Sequence, residues 1–217
     1  MAKKRTIQLP KGYLSYSQCQ LWINDQRKYA QLYFDNRDEL RTTNLGQEYG
    51  KLVADLLERG ENSEDLLTDT AMFLLKKYDL ADQEIKTTLH TKDGAVPLLL
   101  RPDSMDSKTK EFLEYKTGKH PWTQHKAQNH LQLKFYALGI YNEYGILPPS
   151  IELIWIETEQ YEVDGKKAIK PTGRIETFPV TYTIKDILET SALISRVAKE
   201  IEVAYAMHVP DTRITQF

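Results

Sequence analysis

The sequence predicts one α/β domain over residues 1–217, ordered as three helices, three strands, a helix, two strands and a helix. Three observations predict it. Apolar residues recur at helical spacing up to about Tyr78 and then alternate from Glu84 onward, so the period changes from 3.6 to 2. Gly60, Gly118 with Pro121, and Pro148-Pro149 punctuate the segments along the chain. No repeat, low-complexity tract or linker divides the chain. At 217 residues, with 41% hydrophobic and 28% charged residues, the composition is that of a globular protein able to bury its own core.

The elements follow in order. Ser15-Tyr-Ser-Gln18 fits a capping box, and a helix follows to about Phe34, with Leu21, Tyr29, Leu32 and Tyr33 as packing residues. Asp35–Thr43 reads as a loop. From Leu45, the positions Tyr49, Leu52, Val53, Leu56 and Leu57 mark a second helix that Gly60 stops, and Ser63 caps a third to about Tyr78. Glu84–Thr91 and Val96–Asp103 read as a hairpin turning at Asp93-Gly94, and Glu111–Thr117 as a third strand. Gly118 and Pro121 end that strand, and a long helix runs from about Thr123 to Tyr144 with an Ala127–Leu131–Phe135–Leu138 stripe. Ile151–Thr158 and Ile175–Tyr182 are strands on either side of a loop, Asp164–Gly173. Thr183 with Asp186 caps the last helix, whose packing residues are Ile187, Ile194, Val197, Ala198 and Ile201.

Charge and cysteine narrow the function. The 29 basic and 31 acidic residues give a net charge of −2, but residues 108–134 hold six lysines against Glu111 and Glu114. Such local excess steers a phosphate backbone to one face; scattered lysines on a solvated surface are the plainer reading. The single cysteine, Cys19, excludes an internal disulfide, a four-cysteine zinc site and a four-cysteine iron–sulfur cluster. The basic start lacks an apolar h-region and no apolar run suits a membrane span, so the expected location is cytoplasmic, away from the membrane.

Chemistry concentrates around two strands. Leu98-Leu-Leu-Arg-Pro-Asp103 ends in a carboxylate, and in Glu111–Lys116 the residues Glu114 and Lys116 share a face. Antiparallel pairing brings Asp103 near Glu114. Two such acids repel unless a divalent cation lies between them, and hard oxygen ligands suit Mg²⁺ or Mn²⁺. A lysine beside that ion can orient, and help deprotonate, an attacking water. Acid-x-Lys triplets also occur at Glu84, Asp106 and Asp164, and any one alone reads as a cross-strand salt bridge. Only Glu114-Tyr-Lys116 lies in an apolar strand with a strand-terminal Asp upstream. Gln132 and Tyr136 share a helix face, with His125 and Gln128 nearby; polar residues turned to water are the alternative.

Taken together, Arg101-Pro-Asp103, Glu114-Tyr-Lys116-Thr-Gly118 and Gln132-Leu-Lys-Phe-Tyr136 resemble the PD-(D/E)XK nuclease superfamily, and within it the RecB-like exonuclease branch. Leu14-Ser-Tyr-Ser17 before a Tyr-rich helix is similar to that branch's N-terminal signature. The resemblance spans residues 13–160 and implies a restriction-endonuclease-like core (helix, three-stranded meander, helix, strand) over roughly 45–160, with added N-terminal helices and a C-terminal helix. It implies metal ligation by Asp103, Glu114 and the Tyr115 carbonyl, Lys116 serving the water, and Gln132 and Tyr136 lining the site. Two departures stand out. Where many members carry a histidine four residues beyond the early-helix glycine, Gly46 is followed by Gly50; Glu48 is the substitute ligand, or else a surface carboxylate. The cysteine-bound iron–sulfur cluster of some members is excluded.

The function so implied is metal-dependent DNA exonuclease activity in recombination or repair, with DNA and a recombination or helicase protein as partners, oligomeric state open, and a size in keeping with a phage enzyme. The alternative is a catalytically silent nucleic-acid-binding or assembly subunit of the same fold. Lys119, Lys126, Trp122 and Gln128 are the expected DNA contacts. Trp22, Trp155 and Cys19 read as packing residues, and His90, His130 and His208 are too scattered for a zinc site.

Overall fold

The computed structural model describes residues 5–41, 80–81 and 84–208. The helices expected from Leu45 and from Ser63, and Glu48 with them, lie outside the described residues. What is described is the expected mixed α/β fold, with its strands in two sheets. One sheet of three strands contains β1 (Leu14–Ser15), β3 (Ile85–His90) and β4 (Ala95–Leu100), in the order β1-β4-β3. The other contains β2 (Leu80–Ala81), β5 (Ser104–Met105), β6 (Phe112–Gly118), β7 (Ile151–Val163) and β8 (Lys166–Val180), in chain order.

Ser15 caps α1 (Tyr16–Asn24) as expected, accepting from the Gln18 N–H at 3.4 Å. The single helix expected to Phe34 is two. Asp25 leaves helical geometry and its carboxylate accepts from the Lys28 N–H at 2.9 Å, so it ends α1 and caps α2 (Gln26–Tyr33). An Asp can do both because its short acceptor competes with the helical ladder. Tyr29, Leu32 and Tyr33 are buried with Trp22 and Cys19, and burial pushes the Cys19 thiol up to about 12.

The β3–β4 hairpin forms as expected, with a shifted turn. Thr91 bonds Gly94 through its N–H (3.0 Å) and its hydroxyl (2.8 Å), so Lys92 and Asp93 are the central pair. Gly94 is required for another reason: a Cβ there would lie 2.8 Å from the Arg5 carbonyl, which accepts from the Ala95 N–H. The expected strand Val96–Asp103 is broken. β4 stops at Leu100, and after Arg101-Pro-Asp103 the chain enters the second sheet as β5, pairing Ser104 with Leu113 and Met105 with Phe112. Pro102 supplies no N–H, which favours a break there over a continuous ladder.

β6 and β7 are parallel, pairing Glu114 with Leu153 and Lys116 with Trp155. The helical connection between them is also interrupted: α3 (Gln124–Gln128), capped by Thr123, and α4 (Leu131–Tyr144) flank Asn129-His130. α4 is buried on nearly all sides, more than its apolar stripe predicts. At Gly139 a Cβ would come within 2.2 Å of Leu100, so only glycine lets α4 lie this close to β4. The loop expected at Asp164–Gly173 is strand. Asp164 and Gly165 both take positive φ (51° and 73°), a two-residue hairpin turn, and charge pairs such as Glu159–Lys170 (3.2 Å) join β7 to β8 beyond the body of the sheet.

The last helix, α5 (Ile184–Met207), has the expected capping box and buries the five expected residues. No described helix is long and apolar enough to cross a membrane. α5 also anchors the chain's beginning: Arg5 donates twice to Glu202 (2.7 and 2.8 Å), joined by the Gln8 N–H (3.0 Å) and Lys199 (2.9 Å). The Arg5 bonds chiefly hold the Glu202 carboxyl down at about 2, against 4.5. A depressed carboxylate stabilises the fold above its unfolded value and loses that contribution as pH falls from 4.5 towards 2. Glu202→Gln is therefore expected to lower the melting temperature by several degrees at pH 7 and to flatten its decline through that acid window. Equal melting curves for both proteins across pH 7 to 2 refute this.

Candidate active site

The kink after β4 and the pleat of β6 assemble the centre. With Ser104 opposite Leu113, the register sets Asp103 level with Glu114, and the Tyr115 N–H donates to Asp103 Oδ2 at 2.8 Å. On β6, Phe112, Glu114 and Lys116 alternate onto the face that meets α4, where the Phe112 and Tyr136 rings lie 6.0 Å apart. Gln132 and Tyr136, one turn apart on α4, are buried and point at the acid. Gln132 Nε2 donates to Glu114 Oε1 and to the Tyr136 hydroxyl (3.0 Å), and Lys116 Nζ donates to the same Oε1 at 2.6 Å.

Glu114 is 3% exposed, and its second oxygen, Oε2, is buried with no hydrogen-bond partner. A buried carboxylate oxygen without a donor is costly, and in a native site it calls for an ion or a water as partner. Burial raises the Glu114 carboxyl above its ordinary value despite the opposing charge and hydrogen bond of Lys116. Lys116 also lies high: burial alone lowers it, but the negative charges of Glu114 and Asp103 outweigh that. Its side chain keeps 28% exposure, so burial acts more strongly on the acid than on the lysine.

A cleft of ≈ 470 Å³ opens onto Lys116, Gln132 and Tyr136. Its other wall is the turn Tyr13–Ser17, held there because Leu14 and Ser15 pair in parallel with Leu98 and Leu99. Burial raises the Tyr136 and Tyr16 hydroxyls. His130, at the break before α4, packs on Trp122 (5.0 Å between centroids) and Tyr16 (5.9 Å); burial and the nearby lysines push its imidazole down to about 4.

The structure thus brings Asp103, Glu114, Tyr115, Lys116, Gln132 and Tyr136 together. The expected DNA contacts are arranged less uniformly. Lys119 is exposed just past β6, and the exposed Lys126 holds its ammonium 4.1 Å from the centre of the Trp122 ring. Trp122 is buried between that ammonium and His130. Gln128 donates to the Thr181 carbonyl at 2.8 Å, which fastens α3 to the end of β8. Sequence reasoning gave no site role to Tyr13, Tyr16 or His130. Tyr13 and Tyr16 reach the cleft through the parallel β1–β4 pairing, and two-residue strands leave no periodicity to read.

A divalent cation fits the donor set. Asp103, Glu114 through its unpartnered Oε2 and the Tyr115 carbonyl are hard oxygens where the kink after β4 meets the middle of β6. Among the described residues no cluster of three or more His, Cys, Asp or Glu is present; Asp103 and Glu114 are the two carboxylates in this donor set.

No protein-family model and no curated protein matches the sequence. Among solved structures, the chain is similar to the crystal structure of SSO0001, at 12% identity and a TM-score of 0.48 over 97% of this chain and 81% of that one. It is also similar to an alkaline exonuclease, LHK-Exo, from Laribacter hongkongensis, at 12% identity and a TM-score of 0.38 over 90% of this chain and 91% of that one. Both likenesses are loose in fold and remote in sequence.

Proposed function

We propose that this protein is a metal-dependent DNA exonuclease that hydrolyses phosphodiester bonds in recombination or repair. The observation that carries the reading is the unpartnered, buried Oε2 of Glu114, beside Asp103 and within one hydrogen-bonded group with Lys116 and Gln132. A purely structural salt bridge would satisfy both oxygens. Bound Mg²⁺ or Mn²⁺ supplies Lewis acidity for the phosphate and its attacking water. Asp103, Glu114 and the Tyr115 carbonyl hold the ion. Lys116, kept as an ammonium by the two acids, orients the water and balances charge on the phosphate. Gln132 fixes the Glu114 rotamer through Oε1, and Tyr136 fixes Gln132.

Purified protein incubated with end-labelled linear and circular DNA tests this. Loss of linear DNA in Mg²⁺ but not in chelator, with the circle spared, is the expected result. Binding without cleavage of either favours the silent binding subunit.

Lys119 and Lys126 are exposed, and in this reading they contact phosphates rather than bases. Changing either to alanine is expected to weaken DNA binding about equally for all sequences and to lower the salt slope by about 0.7–0.9. Titrations at several salt concentrations check it; a sequence-dependent loss contradicts the assignment.

A further inference from the structure

Tyr13 follows Gly12, whose φ of 76° permits the turn that leads into β1. Its side chain is half-buried, and no other aromatic ring among the described residues packs on it, unlike Tyr16, Tyr29 and Tyr33 nearby. It walls two clefts at once. One is the ≈ 470 Å³ cleft over Lys116 and Gln132; the other, of ≈ 330 Å³, lies over β3 and β4. Leu99 is the second residue they share, so the clefts adjoin at this pair.

The strand pleat explains the character of the second cleft. On β4, Val96, Leu98 and Leu100 face the core, which turns Pro97 and Leu99 outward as an apolar floor. Register places Lys86 beside Leu99 on that outer face. Among the described residues, Lys86 and Arg101 both pair with Glu84 at this rim (2.8 and 2.5 Å), two cations to one acid. An apolar floor, an unstacked aromatic ring and a cationic rim are the parts of a single-stranded nucleic-acid platform. Each cleft is of the size that holds one drug-sized ligand, about 300–1,000 Å³, and the backbone pairing of Leu14 with Leu98 and Ser15 with Leu99 fixes the distance between its walls.

We propose, on the basis of the nuclease reading above, that the two neighbouring clefts hold one strand of DNA, with a base stacked on Tyr13 and the adjoining phosphate beside Lys86. The acid–lysine centre then acts on a strand already separated from its complement. Tyr13 selects single strands, and the second cleft holds the nucleotides next to the one being cut.

The test is fluorescence anisotropy with a fluorescein-labelled oligothymidylate and a duplex of equal length, in Ca²⁺ to suppress turnover. Tyr13→Ala is expected to weaken single-strand binding roughly 5–150-fold, the range that follows from stacking energies of ~1–3 kcal/mol per base. Tyr13→Phe and Tyr13→Trp are expected to restore it, and the salt slope of Tyr13→Ala to match wild type, since stacking releases no counterions. Lys86→Glu, at an exposed position, is expected to weaken binding and alter that slope. Wild-type protein that prefers duplex, or a Tyr13→Ala protein that binds single strands like wild type, overturns the proposal while Mg²⁺-dependent cleavage of DNA still upholds the nuclease reading. Wild-type protein that neither binds nor cleaves DNA overturns both.

Discussion

Glu114→Gln is expected to reduce Mg²⁺-dependent cleavage to background while leaving a folded protein whose metal-free melting temperature equals or exceeds that of wild type. The amide keeps the shape of the side chain, and its oxygen still accepts from Gln132 and Lys116, but it carries no charge to hold a divalent ion. The stability argument rests on the direction of the Glu114 shift. Its carboxyl lies above 4.5 in the folded chain, because burial outweighs the Lys116 charge and the hydrogen bonds from Lys116 and Gln132. A raised carboxyl contributes stability below 4.5 and loses it as pH climbs through the folded value, so the ionised acid is a net cost to the metal-free fold at neutral pH. Glutamine removes that cost, and its melting curve is expected to lack the wild-type decline with rising pH. Asp103→Asn is expected to lose cleavage in the same way, since its oxygen can still accept from the Tyr115 N–H. Cleavage rates, Mn²⁺ titration and melting of each variant check this. Near-wild-type turnover in either removes these acids from the site.

The centre was legible because each part of it obeys a local rule. Glu114 and Lys116 share a face by strand alternation, Gln132 and Tyr136 by helical spacing, and Asp103 follows an apolar run that ends at a proline. These periodicities survive in the fold, so the residues meet. Elements failed where a single side chain overrides the period. Asp25 divides a helix whose apolar spacing continues through it; at the break before α4 His130 makes no capping bond, and Asn129 Nδ2 instead donates to the His125 carbonyl at 3.0 Å. The β7–β8 extension carries charge on both faces, so alternation is absent, and its strands are held by the Asp164-Gly165 turn and cross-strand pairs that only the register reveals. The cleft wall was hidden for a third reason. Tyr13 and Tyr16 lie far from Lys116 in the chain and come beside it through two backbone pairings to β4, a long-range contact with no local signature.

Lys116→Ala is expected to slow cleavage by roughly 10²–10⁴-fold, the usual contribution of a positioned proton-transfer or orienting group. Its effect separates from that of the acids through metal affinity. Lys116 donates to Glu114 Oε1, whereas the oxygen left for the ion is Oε2, so removing the lysine takes away no ligand. It does remove the charge that opposes burial at Glu114, whose carboxyl then rises further; Mn²⁺ binding should weaken modestly and recover as pH is raised. Arginine is not expected to restore the rate. Its guanidinium is planar and larger, in a place where a compact ammonium reaches Oε1 at 2.6 Å between Glu114 and Asp103. Single-turnover rates beside Mn²⁺ titrations at two pH values distinguish the roles. A Lys116→Ala protein that binds no Mn²⁺ at either pH places the lysine in the structure of the metal site, and one that cleaves at the wild-type rate removes it from the chemistry.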